Sequence, residues 1–146
     1  MGKNYYKPMH TAEHILNQVM LRHFTGERSF TTHIERKKSK VDYNFSRSLS
    51  NEELEMIENS VNSTIDKKLN VAEKFLDVDK ASKIFDLSRL PNDSSDKIRI
   101  IEIGDFDACP CIGQHVTNTS EIGKFKIVSS DHDGKKLRIR FKLINE

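Results

Sequence analysis

Two pairs of metal-competent side chains constrain this chain more than any other feature. His10-Thr-Ala-Glu-His14 and Cys111-Ile-Gly-Gln-His115 each set two such residues at i, i+4. On a helix that spacing puts both side chains on one face, a turn apart. Together the pairs supply three imidazoles and one thiol, a donor set that suits tetrahedral zinc. About a hundred residues separate them, far more than in a zinc finger, so the fold must bring the start of the chain against its last third. Metal held across a domain serves chemistry or ligand binding more often than it nucleates a knuckle. The expected ligands are His10, His14, Cys111 and His115. Cys109, two residues before Cys111, is an alternative or fifth ligand, or else a small buried thiol in a tight turn. The zinc-protease order His-Glu-x-x-His is absent, because Glu13 stands beside His14 instead, and peptidase chemistry is not indicated. Glu13 is expected to face away from His10, into solvent.

With 146 residues, the chain can bury a real core as one domain spanning 1–146. Charged residues make up 32% and hydrophobic residues 36%, a balance typical of a soluble globular protein. No stretch approaches the apolar length of a membrane span, and Met1-Gly-Lys-Asn-Tyr-Tyr-Lys7 lacks a secretory apolar segment, so no membrane partner is expected. Cys109 and Cys111 are too close for an ordinary structural disulfide. Two thiols, one a prospective thiolate ligand, point to a reducing cytoplasm. The net charge of +2 argues for nothing by itself.

Local patterning predicts helices and antiparallel hairpins. A helix is expected from Pro8 to about Phe24, with Ile15, Leu16, Val19, Met20 and Phe24 as its core stripe and Thr25-Gly26 as its stop. Residues 28–47 suggest a hairpin around Arg36-Lys37-Lys38-Ser39-Lys40, with Val41, Tyr43 and Phe45 alternating. Ser50 and Glu53 form a capping box for a helix whose buried face carries Leu54, Ile57, Val61, Ile65 and Leu69. A strand over Val71–Phe75 and a short helix capped by Asp77 or Asp79, running through Ile84 and Phe85, follow. The breaker-rich run Pro91–Asp96 is a loop. Lys97–Ile103 is a strand buried through Ile98, Ile100 and the neighbouring Ile101. Phe125–Ser130 and Lys136–Ile144 pair as a hairpin across Asp133-Gly134. The fold class is therefore α+β: an antiparallel or mixed sheet with helices packed on it.

The segment Arg99-Ile-Ile-Glu-Ile-Gly-Asp-Phe-Asp-Ala-Cys-Pro-Cys-Ile-Gly-Gln-His115, continuing to Ile127, closely resembles the second additional domain of alanyl- and threonyl-tRNA synthetases. His10-Thr-Ala-Glu-His-Ile-Leu16 is similar to that family's other signature, His-x-x-x-His followed by two aliphatics. Both motifs stand in the family's order and at a family-like separation, so the resemblance covers nearly the whole chain. It implies an editing module that hydrolyses the ester joining a wrong amino acid to the 3′ end of tRNA. The length implies a minimal, freestanding form with no room for an aminoacylation domain. Carried over by position, His10, His14, Cys111 and His115 are the implied zinc ligands. The alanyl pattern Cys-Gly-Gly-Thr-His differs here at Ile112 and Gln114, and Val116-Thr-Asn-Thr119 is at least as threonyl-like as alanyl-like.

The implied activity is zinc-dependent deacylation of mischarged tRNA, with Ser- or Gly-tRNA(Ala), or Ser-tRNA(Thr), as substrate. Its alternative is a non-catalytic, zinc-stabilised module that binds tRNA or an amino acid, motivated by Ile112 and Gln114 beside the metal. Asp107 and Asp105 are candidates to position water or orient a ligand histidine, or else turn residues. His33 falls near a position where family members carry a polar residue facing the metal, or else is a surface histidine. Arg36, Lys37, Lys38 and Lys40 are candidate tRNA contacts, and Arg138, Arg140 and Lys142 line one strand face. The bland reading of both groups is a solvated surface. Aminoacylated tRNA is thus the expected partner, and DNA is not.

Overall fold

A computed structural model of the chain describes residues 6–85, 87 and 96–144. The expected loop at Pro91–Asp96 lies outside them, Asp96 excepted. Among the described residues are three α-helices and seven strands in two antiparallel sheets, an α+β fold. No helix among them is long and apolar enough to cross a membrane.

Helix α1 (Lys7–Met20) starts with proline in its first turn, where the missing N–H costs nothing. The expected helix continues past Met20 only as a π-helical turn over Leu21–Thr25. Gly26 N donates to Leu21 O to close that turn, with Gly26 at φ +69, a left-handed conformation that glycine adopts without penalty. The apolar stripe of α1 is buried as the spacing predicts, but so are Thr11, Glu13, His14 and Asn17. This helix is surrounded rather than laid on a surface.

The larger sheet has the order β1-β2-β7-β6, from β1 (Thr31–His33), β2 (Ser39–Asn44), β6 (Lys124–Asp133) and β7 (Lys136–Ile144). Period-two alternation is clearest in β7, where Leu137, Ile139 and Phe141 are fully buried. They join Val41, Tyr43 and Phe125 in one core with the apolar faces of α1 and of α2 (Asn51–Asp66). The Ser50–Glu53 capping box at the start of α2 is fully formed. Leu69 does not belong to α2, however. The helix ends at Asp66, Lys68 turns to φ +55, and Leu69 instead packs half-buried against the core.

The smaller sheet has the order β3-β4-β5, from β3 (Val71–Asp77), β4 (Lys97–Ile103) and β5 (Asp107–Pro110). Asp77 stands at the N-cap of α3 (Val78–Ile84) but makes no capping bond, because its carboxylate takes Lys97 Nζ at 2.6 Å. In β4, Ile100, Ile101 and Ile103 are buried while Ile98 is only half-buried. Burial thus shifts toward the end of the strand nearest the core. At the β4–β5 turn Gly104 has φ +50, and a Cβ there would meet Leu69 Cδ2 at 3.1 Å. Glycine is required at Gly104 on both counts.

On the larger sheet Arg138 and Arg140 are already occupied. Arg138 donates two bonds to the Asp42 carboxylate, at 2.7 and 3.0 Å, and Arg140 bonds Asp131 at 2.8 Å. Two-pronged bonding by Arg138 holds the Asp42 carboxyl below the usual carboxylate range, against the opposing effect of its burial. Asp42→Ala is expected to destabilise the fold by about 1–3 kcal/mol at neutral pH, since half-buried Arg138 loses its acceptor. A lowered folded pKa contributes stability above the unfolded value of about 4 and loses it as pH falls through the folded value. Denaturant titrations should therefore show the gap between variant and parent closing below about pH 4.

Candidate metal centre

The first histidine pair is delivered by α1, and the second pair by the irregular segment between β5 and the 3₁₀ turn at Thr119–Glu121. One ligand atom from each of His10, His14, Cys111 and His115 can be chosen so that all lie within 4.8 Å of one another. His10 and His115 stack with ring centroids 4.3 Å apart, and His14 meets both rings edge-on at 5.1 and 4.4 Å.

Thr11 fastens the two halves. Its hydroxyl donates to Lys7 O at 3.1 Å, as serine and threonine do within a helix. Its lone pairs then accept from Val116 N at 3.2 Å and face His115 Nδ1 at 3.0 Å. With its one proton committed to Lys7, the hydroxyl is an acceptor toward His115, so the ring carries its proton on Nδ1. His115 Nε2 is then a bare lone pair, and it is buried with no hydrogen-bond partner. His10 follows the same logic: Nδ1 lies 3.3 Å from Gln114 O, which only accepts, and Nε2 lies 3.7 Å from Cys111 Sγ. His14 has Nδ1 3.8 Å from Asp107 Oδ2, and neither atom has a hydrogen-bond partner. His115, backed on Nδ1 with Nε2 unpartnered, stands beside His10, His14 and the Cys111 sulfur, and such a donor set suits zinc. The residues fit the metal.

The electrostatics agree. Burial alone would push the Cys111 thiol up, but the surrounding His10, His115 and His14 rings outweigh it and bring the pKa down to about 3. This environment favours the thiolate form of Cys111. Burial, against the opposing pull of Cys111, lowers His115 to about 4 and so favours the neutral ring that can ligate. For His14, burial opposes the charged form, but the neighbouring acidic groups of Asp107 and Cys111 prevail and raise it well above an ordinary histidine.

Several sequence expectations change here. Glu13 is not in solvent: it is 7% exposed, with Oε1 3.7 Å from His10 Nε2 and 3.8 Å from His14 Nε2. Asn17 Nδ2 donates to its other oxygen, and Asn17 Oδ1 accepts from Ser29 N at 2.8 Å. The error lay in assuming a solvent face on a helix that is covered nearly all round. Asp107 opens β5, fully buried, and accepts from Arg28 Nη2 at 2.5 Å and Gln18 Nε2 at 2.6 Å. Burial raises its pKa, but bonds and charge from His14 and Arg28 bring it below the usual value. It is no turn residue. Asp105 is the exposed turn residue.

His33 is exposed at the end of β1 and bonds Glu35 at 2.8 Å, outside the four-residue cluster. Cys109 is half-buried in β5 opposite Ile101, with Sγ 3.4 Å from Pro110 O, and burial raises its thiol pKa. It too lies outside the cluster. Ile112 is 69% exposed, so it does not cap the centre by packing over it. Arg36, Lys37 and Lys38 are exposed between β1 and β2, with the Arg36 guanidinium 4.5 Å from the centre of the Tyr6 ring. Lys40 is half-buried in β2, opposite Arg140. Thr11, Gln18 and Arg28 were missed by sequence reasoning. Thr11 at least lies within the first motif, but nothing local marks Gln18 or Arg28.

Residues 98–139 match the family described as threonyl and alanyl tRNA synthetase second additional domain. An alanine–tRNA ligase of Thermoanaerobacter sp. (strain X514) is 35% identical over 136 residues, 88% of this chain and 15% of that protein. Those of Ligilactobacillus salivarius (strain UCC118) and Staphylothermus marinus are 33% and 37% identical over 137 and 134 residues, 92% and 88% of the chain. Residues 98–139 carry the match to this family, and the similarity to the ligases extends over most of the chain. The chain spans about 15% of the length of the relatives it matches.

Because Asp107 orients His14 without belonging to the cluster, Asp107→Asn should lower zinc affinity by about tenfold. Cys109→Ser should leave it unchanged. Competition against a chromophoric chelator measures both, and equal affinities for parent and Asp107→Asn would remove Asp107 from the site.

Proposed function

We propose that this domain is a zinc-dependent hydrolase that clears wrongly attached amino acids from tRNA. The observation carrying the proposal is the donor cluster of His10, His14, Cys111 and His115 within a chain whose residues 98–139 match the editing-domain family. The relatives are alanine–tRNA ligases, and a pocket built for alanine cannot strongly reject serine or glycine. One methylene or hydroxyl is worth only about 10- to 200-fold in discrimination, which leaves a need for hydrolysis after the error. Ser-tRNA(Ala) and Gly-tRNA(Ala) are therefore the proposed substrates, with Ser-tRNA(Thr) next.

An aminoacyl ester is already labile, so positioning and charge stabilisation matter more than a strong nucleophile. Water adds to the ester carbonyl, the bond from carbonyl carbon to ribose oxygen breaks, and the ribose oxygen leaves with a proton. Zinc supplies a Lewis acid for the carbonyl or an anchor for the amino group. Thr11 and Gln114 O hold two imidazoles in the ligating tautomer, and Asp107 orients the third. Glu13 adds a buried acceptor within 4 Å of two of them. The exposure of Ile112 favours an accessible centre over one occluded by that side chain. We place the reaction in the cytoplasm, where both cysteines stay reduced, and treat 1–146 as one functional domain. The Arg36–Lys40 turn is the proposed phosphate contact, since Arg138 and Arg140 already hold carboxylates.

Zinc-loaded protein should deacylate at least one of Ser-tRNA(Ala), Gly-tRNA(Ala) and Ser-tRNA(Thr) faster than the spontaneous rate, and Cys111→Ala should abolish the acceleration. Bound zinc without acceleration of any of the three defeats the hydrolase reading and leaves a binding module. Replacing Lys37 and Lys38 with Gln should weaken tRNA binding at low salt without altering zinc content, and flatten the salt dependence by about one unit per contact. Unchanged tRNA affinity in that double variant would assign the turn to solvent alone.

A further inference from the structure

Cys111 lies just beyond the last residue of β5, and past a single main-chain bond to β4 no strand pairing fixes the loop that follows it. A single side chain from the neighbouring strand takes over that task. Arg99, on β4, donates from Nη1 to Cys111 O at 3.0 Å and to Gly113 O at 2.7 Å. Its main-chain carbonyl accepts from Cys111 N at 3.2 Å. Its Nε donates to Glu73 Oε1 at 2.5 Å, from β3. Gly113 N in turn donates to Cys111 Sγ at 3.3 Å. The amide, the carbonyl and the sulfur of Cys111 are thus each fixed by a bond, and all but one run through Arg99.

We propose that Arg99, braced by Glu73, is the positioning residue that pins the Cys111–Gly113 loop and thereby sets the metal affinity of the centre. This inference rests on the metal reading above. The geometry carries it in three ways. First, one cation bridges two carbonyls that lie on either side of Ile112, closing the loop into a fixed turn; charge-assisted bonds of this kind are about twice as strong as neutral ones. Second, the turn holds the Gly113 amide on the sulfur, and an N–H donor to a thiolate both orients it and stabilises its charge. Third, Arg99 is only 25% exposed while Glu73 is 53% exposed. Loop contacts and the partly buried guanidinium therefore form one unit, and the carboxylate serves as its outer anchor. The same clamp explains how a side chain as large and apolar as Ile112 stays exposed beside the ligand: the backbone on both sides of it is tied down, so it cannot turn inward to bury itself.

The whole chain tests this. Zinc affinity is measured by competition with a chromophoric chelator, and the thiolate-to-cobalt absorption is followed after cobalt(II) loading. Circular dichroism and thermal melting of the metal-free proteins report folding separately. Arg99→Met, which keeps length and loses every donor, should weaken zinc binding by about 10- to 100-fold and diminish the thiolate-to-cobalt band. Arg99→Lys, still a cation within reach of the carbonyls, should recover part of the affinity. Glu73→Gln should produce a smaller loss in the same direction. Lys74→Gln, which breaks an exposed pair with Glu102 on the same sheet, should change nothing. Parent-like zinc affinity and cobalt spectrum in folded Arg99→Met would overturn the proposal, as would equal losses in Arg99→Met and Lys74→Gln. If Arg99→Met does not fold, Glu73→Gln decides, and parent-like affinity in that variant overturns it. A parent protein that binds no zinc defeats the metal reading itself, an outcome distinct from loss of the Arg99 effect alone.

Discussion

The buried Thr11 hydroxyl does the most to hold this structure's two distant segments in register. It is one of several buried polar groups on α1, with Glu13, His14 and Asn17. With one proton and two lone pairs it ties α1 to its own first turn, to Val116 and to His115. Buried polar groups must find partners or cost stability, and here satisfying Thr11 also selects the tautomer of a ligand histidine. The rest of the centre depends on that closure. Without it, the first histidine pair would present a face with nothing opposite.

Charge around the centre is arranged in layers. A thiolate and three imidazoles share one small volume, with His14 favoring the charged form and His115 the neutral one. Behind them Asp107 faces His14, and Arg28 and Gln18 hold Asp107 from the other side. A fully buried carboxylate is costly unless it is paired, and this one lies between the Arg28 guanidinium and the His14 ring. Glu13 is satisfied differently, through Asn17, whose second amide atom is spent on the Ser29 backbone. Such linked buried groups hold a donor set in place, and rigidity is what a metal or a transition state exploits.

The two sheets contribute unequally. The larger one, with α1 and α2, makes the core through Leu137, Ile139, Phe141, Phe125 and Tyr43. The smaller one has an edge strand, β3, with little buried side-chain surface, yet it supplies β4 and β5, which carry Arg99, Asp107 and the approach to Cys111. The core lies mainly with the first, while the site draws on both: His10 and His14 from α1, and the Arg99 and Asp107 supports from the second. The Gly104 turn, closed against Leu69, is one point where they meet, and the bridge between Asn70 and Asn118 is another.

Local spacing determined a good deal of this by itself. The His10/His14 pair, the Ser50–Glu53 box, the alternation of Leu137, Ile139 and Phe141, and the Asp133-Gly134 turn are set by neighbours within a few residues, where helix and strand periods dictate which side chains share a face. Cys111 and His115 lie on no helix, and only the fold brings them together. Tertiary structure alone decided what covers those faces. It buried Glu13 on a helix whose outer side the sequence left to water, and moved Asp107 from turn to strand. It left His33 outside the cluster, gave Arg138 and Arg140 to carboxylates, and recruited Arg28 and Arg99 to support groups 79 and 12 residues away. A period shows which residues lie together along one element, but not which other element packs against them, and for polar residues that second fact sets burial, partner and charge.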